Sequence, residues 1–162
     1  MTTTEHAAEI RKQYKAKGWS SRDISVRADH FSMGSSIDVT VKRPDIPLAE
    51  VKAIAEQAES ISRCEITGDI LCGGNRYVHV GYSSTAHEAR VAPFLPAIEA
   101  ALVTLRAEPP TSGAIIPVGD TGFGVSRSWN GGEFSVWGKN SHAGTAYDAA
   151  GVASIIARCE AR

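Results

Sequence analysis

The residue types able to do chemistry are scattered along this chain rather than gathered into a motif. His6, His30, His79, His87 and His142 include no i, i+4 pair and no repeat of the kind that two-histidine phosphoesterases carry, so no metal site is expected. Ser83, Ser84 and His87 can be drawn as nucleophile and base, but no strand elbow such as GxSxG frames them. Capping of a helix by Ser84 or Thr85 explains that stretch. Glu65 and Asp69 on one strand would stand roughly 13 Å apart, too far for a paired-carboxylate mechanism. Gly119, Gly122 and Gly124, like Gly73 and Gly74, lack the Gly-Lys-Ser/Thr ending of a phosphate loop and read as turns. No cofactor is expected.

What remains is a surface. If the strands of the first half form one sheet, Ser25, Arg27, Asp38, Thr40, Lys42, Glu65, Thr67, Asp69, Tyr77 and His79 all point away from the core. The plain reading is a solvated sheet face; the functional one is a partner-binding surface. A sheet that stacks nucleic-acid bases usually shows two or more exposed aromatics, and here Tyr77 alone qualifies. A second candidate surface is the aromatic stretch around Trp129 and Trp137, with Phe123 and Phe134 nearby; those rings either cover a small core or anchor an interface.

These positions depend on a simple order of elements. Thr3 and Thr4 can cap a first helix whose apolar residues Ala7, Ile10 and Tyr14 share a face, ending at Gly18. Strands follow over 23–28 and 36–42, with Ile24 and Val26, then Ile37, Val39 and Val41, facing in. Pro47 opens a second helix with an apolar stripe from Val51 to Ile61, and strands over 64–72 and 76–82 are joined by Gly73-Gly74-Asn75. The pattern reads as a duplicated αββ unit: an α+β fold with a four-stranded antiparallel sheet and its helices on one face. A third helix, beginning near Pro93 or Pro96, closes a first domain of residues 1–107.

The prolines of 108–113 mark a linker. Beyond it the chain reads as a ββ(β)α appendage over 114–162, with a strand at 114–118, a hairpin over 122–128 and 133–138 turning at Asn130-Gly131, and a helix over 145–158. About fifty residues bury too little to be comfortably stable alone, so docking on the first domain is expected.

Composition bounds the function. The chain has 162 residues, 17 basic against 18 acidic side chains and a formal charge of -1, which excludes a whole-protein field for nucleic acid or anionic membrane. The basic residues lean toward the N-terminus, among them Arg11, Lys12, Lys15 and Lys17. Cys64, Cys72 and Cys159 form no CxxC pair and are expected to be reduced and mostly buried. No apolar run approaches a membrane span and no signal sequence is apparent, so a cytoplasmic protein is expected.

Ile24-Ser-Val-Arg27, then Phe31-Ser-Met-Gly34-Ser-Ser-Ile-Asp38-Val39, and later Gly74-Asn-Arg-Tyr77-Val78, resemble the large polyvalent protein-associated domain 29 over roughly residues 10–83. Thr40-Val-Lys-Arg-Pro44 stands where members carry Trp-Thr-Asp-Gly-Pro. The resemblance implies a protein of a phage, plasmid or other mobile element, acting in conflict between element and host, and it carries over no catalytic residue. Three functions follow: a non-enzymatic binding module for a host protein or a nucleic-acid-processing complex; a small hydrolase or nucleotide-binding enzyme using His79 and Tyr77; or a nucleic-acid binder through the basic first helix.

Overall fold

The computed structural model describes residues 1–109, 113–127, 134–138 and 141–160. The chain is α+β and divides into two compact units, Met1–Ala86 and His87–Arg162. Among the described residues no helix is long and apolar enough to cross a membrane.

In the first unit, α1 (Thr3–Ala16) starts at Thr2 rather than at Thr3 or Thr4. The Glu5 amide donates to Thr2 Oγ1 at 3.2 Å and the Thr2 amide donates to Glu5 Oε2 at 2.6 Å, a reciprocal pair that satisfies two otherwise unpaired helix-end donors. Thr3 is thereby free to turn inward, where its hydroxyl donates to Ser35 Oγ at 2.8 Å. Ala7, Ile10 and Tyr14 are buried on one face. Gly18, at φ 85°, ends the helix and lets Trp19 fold back against Tyr14, with ring centroids 5.8 Å apart.

β1 (Ile24–Phe31) and β2 (Gly34–Val41) form an antiparallel pair in register from Ile24 opposite Val41 to Phe31 opposite Gly34. α2 (Leu48–Ala55) and a short turn of tighter helix, Glu56–Ala58, carry the chain across to β3 (Asn75–Tyr82), which pairs with β2 in parallel. The strand order is β1-β2-β3. Ile24, Val26, Ile37, Val39 and Val41 pack with Ala7, Ile10 and Tyr14 of α1 and Val51 and Ala55 of α2 in one core. Each fully buried Ile or Val contributes about 1.5–3 kcal/mol by leaving water.

The sheet of this unit has three strands rather than four, and it is mixed, so the second αββ repeat does not form. The cause lies in 64–72, where alternation was not burial: Ile66 is 94% exposed and Ile70 45% exposed. Gly68, at φ 74°, reverses the chain in the middle of that stretch. The reversal is closed by Cys64 N–H to Asp69 O at 2.8 Å, Gly68 N–H to Cys64 O at 2.9 Å and Leu71 N–H to Ser62 O at 2.9 Å. With its residues consumed by a tight loop, the segment leaves β3 to pair with β2 directly.

The second unit takes in the helix that the sequence assigned to the first domain. α3 (Ser84–Val91) leads through a tight turn at Ala92–Phe94 into α4 (Leu95–Ala107), where Pro96 occupies the first turn. The amide of Ala86 donates to Ser83 Oγ at 3.2 Å, so Ser83 rather than Ser84 or Thr85 supplies the hydroxyl at the start of α3. Ile98, Leu102 and Leu105 of α4 share a core with Val118, Val125, Val136, Val152 and Ile156. The compact units therefore divide within α3, not at residues 108–113.

β4 (Ile116–Pro117), β5 (Gly124–Arg127), β6 (Phe134–Trp137) and β7 (His142–Ala146) form a four-stranded antiparallel sheet in chain order. The Asn130-Gly131 turn lies outside the described residues. α5 (Ala149–Glu160) begins later than residue 145, because Thr145 pairs with Ser135 in the sheet and Asp148 starts the helix by accepting from the Gly151 amide at 2.7 Å. Tyr147 is accordingly 75% exposed rather than part of the helix's apolar stripe.

Candidate functional site

The open face of the first unit's sheet is assembled by strand register. Arg27 lies opposite Asp38, and Asp38 opposite His79, so these three side chains form one row across β1, β2 and β3. The next row is Asp29, Ser36 and Tyr77; the one before it is Ser25, Thr40 and Gly81. Arg27 and His79 are exposed, and Asp38 and Tyr77 are half-buried. The Ser36 hydroxyl donates to Asp38 Oδ2 at 3.0 Å, which turns that carboxylate along its own strand. Lys42 is exposed one residue past the end of β2, where its amide donates to Asp23 O at 2.8 Å.

Glu65 and Asp69 do not join this face as strand residues. Both are exposed in the loop that precedes β3, for the reason given by Gly68. Trp137 belongs to the other unit. It is half-buried on β6, its indole N–H donates to Ser126 Oγ at 2.8 Å, and its ring meets that of His142 edge-on at 5.2 Å, so it acts as a packed side chain there. Trp129 lies outside the described residues.

Sequence reasoning did not place Phe31 on this face. Its ring stacks on that of Tyr77 with centroids 6.3 Å apart and planes 22° apart, and Phe31 remains 48% exposed. The two residues sit on the outer strands, and Gly34 on β2 lies between them. A Cβ at Gly34 would stand 2.5 Å from Asn75 O and 3.3 Å from the Phe31 ring, so any other residue would press on the backbone of β3 and crowd the ring. Met33, in the β1–β2 turn, is also exposed beside it. The signal was available: Phe31 has the same parity as Arg27, but the polar pair Asp29-His30 disguised the strand's continuation.

Asn75 holds this end of the sheet together. Only 2% exposed, it accepts from the Ser62 amide at 2.8 Å and donates to Leu71 O at 2.7 Å and to Tyr77 Oη at 3.4 Å. The loop of residues 59–74 is thus tied to the stacked pair. Ser60 and Arg76 add a two-way backbone bridge, and Arg76 Nε donates to Ala58 O.

As a reaction centre the face offers little enclosure. A shallow depression of about 270 Å³ lies between β2 and β3, lined by Asp38, Thr40, His79, Gly81 and Tyr82, where Gly81 contributes no side chain. Tyr77 and His79 are two residues apart on one strand, roughly 7 Å along it and on the same face. Among the described residues no three His, Cys, Asp or Glu side chains come together as metal ligands.

The cysteines are free thiols, but none is buried: Cys72 is exposed and Cys64 and Cys159 are half-buried. Cys64, half-buried, has its thiol held below the usual range, first by the Thr67 hydroxyl and then by the Thr67 and Ile66 amides.

Compared with family models, with curated proteins and with solved structures, the chain matches none.

Proposed function

We propose that this chain is a non-enzymatic binding module whose N-terminal unit engages a macromolecular partner through the open face of its three-stranded sheet. The observation that carries this reading is the stack of Phe31 on Tyr77, an aromatic pair left half in solvent at the rim of a polar sheet. Aromatic rings of this kind are the anchors that dominate interface energies, and a surround of both charge signs sets register rather than affinity. Arg27, Asp38, His79 and Lys42 supply that surround. The resemblance to large polyvalent protein-associated domain 29 supports placing the partner in a host cell attacked by a mobile element, either a defence component or a nucleic-acid-processing complex.

A second reading has one observation in its favour. With Phe31 beside Tyr77 the face shows two aromatics, the number a base-stacking sheet needs, so direct contact with single-stranded nucleic acid follows if the partner is removed by nuclease. The hydrolase reading keeps only the shallow depression beside His79.

The test is affinity capture of the tagged chain from its host cell, with and without nuclease, comparing the natural sequence with Phe31→Ser and with Arg27→Glu/Lys42→Glu. A protein retained after nuclease and lost from both variants is the expected result. Retention by both variants removes the sheet face from the interaction, and loss on nuclease alone selects the nucleic-acid reading.

A further inference from the structure

The first unit has a second concavity, of about 420 Å³, set between the C-terminal half of α1, the turn after it and the start of β1. Its size falls within the range of small-molecule sites, about 300–1,000 Å³. Arg11 and Lys15, one helical turn apart, supply positive charge at its wall; Ser21 adds a hydroxyl; Trp19 and Ile24 add apolar surface; and none of the lining residues is acidic.

The charges around the opening are arranged to leave that positive character in place. The Asp23 carboxylate accepts from the Ser20 hydroxyl at 2.7 Å and from the Ser20 amide at 2.8 Å, and Arg43 lies 3.6 Å from it. Glu50 is paired with Lys17 at 2.7 Å. Among the described residues, no hydrogen bond or ion pair occupies the Lys15 ammonium. Trp19 is fixed from two sides, by the Tyr14 ring and by the Lys17 ammonium 5.5 Å from its centroid, so its wall is formed before any ligand arrives.

We infer that this concavity binds a phosphate monoester attached to a flat ring, a group the size of a mononucleotide. The polar set favours phosphate over carboxylate. Arg11 Nη2 is already committed to Val26 O at 2.6 Å, so its fork is not wholly free for a planar carboxylate. Lys15 is a point charge and the Ser21 hydroxyl rotates; together they suit a tetrahedral anion, while Trp19 and Ile24 receive the ring. The site borders the sheet face at Ser25 and does not depend on the function proposed for that face.

The experiment is an NMR titration of the ¹⁵N-labelled full chain with AMP, adenosine, inorganic phosphate and a 5′-phosphorylated tetrathymidylate. AMP should give saturable shifts at the Trp19 indole N–H and along residues 19–26, with adenosine and phosphate each weaker. Lys15→Glu should weaken AMP roughly tenfold or more, whereas Lys12→Glu, on the same helix outside the concavity, should change it little. Lys15 is exposed, so its reversal leaves the core intact, and an otherwise unchanged spectrum verifies this; Ser21→Ala provides a second, milder variant. Shifts with AMP alone identify a free nucleotide, and shifts with the oligonucleotide alone identify a strand end; either upholds the site when lost in Lys15→Glu. Equal responses to AMP and adenosine, shifts that survive Lys15→Glu, or no saturable response at millimolar concentration to either phosphorylated probe would overturn it.

Discussion

Phe31 and Tyr77 belong to strands that do not touch, β1 and β3, yet their rings stack across Gly34 of the strand between them. The contact depends on an absent side chain, and it places an aromatic pair where the β1–β2 turn meets the loop that Asn75 secures. Four expectations follow from this unit's architecture.

Gly34→Ala places a methyl 2.5 Å from the Asn75 carbonyl oxygen, which is backbone and has little room to retreat. A loss of about 1–3 kcal/mol in urea unfolding is expected, together with a weakened near-ultraviolet aromatic signal. Gly81→Ala is the matched control on the same sheet face: a Cβ there meets nothing within 4 Å, and stability should stay within about 0.5 kcal/mol or rise.

Asn75→Ala leaves the Ser62 amide and the Leu71 carbonyl without their partner. A cost of roughly 1–3 kcal/mol is expected for such buried groups. Amide exchange should quicken first at Ser62 and across residues 59–74, with β1 and β2 little affected; uniform quickening through the whole unit would mean that Asn75 supports the sheet rather than the loop.

The Tyr14 hydroxyl donates to Val51 O at 2.9 Å, and burial pushes its phenol above the ordinary tyrosine range. A folded-state pKa raised above the unfolded value gives stability that is complete below about pH 10 and is lost as pH rises toward the folded value. Unfolding midpoints should therefore fall above about pH 10, and Tyr14→Phe should flatten that decline while lowering stability at neutral pH through the unpaired Val51 carbonyl.

Asp23 is shifted the other way, its carboxyl held below the usual range first by the Ser20 hydroxyl, then by the Ser20 amide, with Arg43 adding to it. A depressed folded-state pKa gives stability present above the unfolded carboxylate value and lost as pH falls through the folded one. Acid titration of the unfolding midpoint should show a smaller decline below about pH 4 in Ser20→Ala than in the natural chain.

The parts of this fold that could be read from sequence were those in which apolar alternation and burial coincide. Ile24 and Val26 against Ile37, Val39 and Val41 produced β1 and β2, and Ala7, Ile10 and Tyr14 produced α1. Residues 64–72 alternate equally well, but Gly68 turns the chain and the backbone closes on itself, so a pattern of side chains was overruled by one residue's φ. The α4 stripe was visible, although nothing in Ile98, Leu102 or Leu105 says which sheet they cover. For the face itself, Arg27, Asp38, Tyr77 and His79 were placed together by parity. Phe31 was lost because cross-strand hydrogen bonds carry β1 onward without apolar side chains, and a strand's end is set by its partner as much as by its own residues.

Parallel pairing of β2 with β3 also governs how the chain is made. Gly34 meets Asn75 and Val41 meets Tyr82, so every partner of β2 on that side is synthesised roughly forty residues after β2 itself, a delay on the order of 2–8 s at ordinary translation rates. During that interval β1 and α1 can already assemble on β2, while its other edge offers unpaired backbone to any neighbouring nascent chain. The hazard of misassociation is therefore concentrated in the seconds before Tyr82 leaves the ribosome, when β2 is complete on one side only.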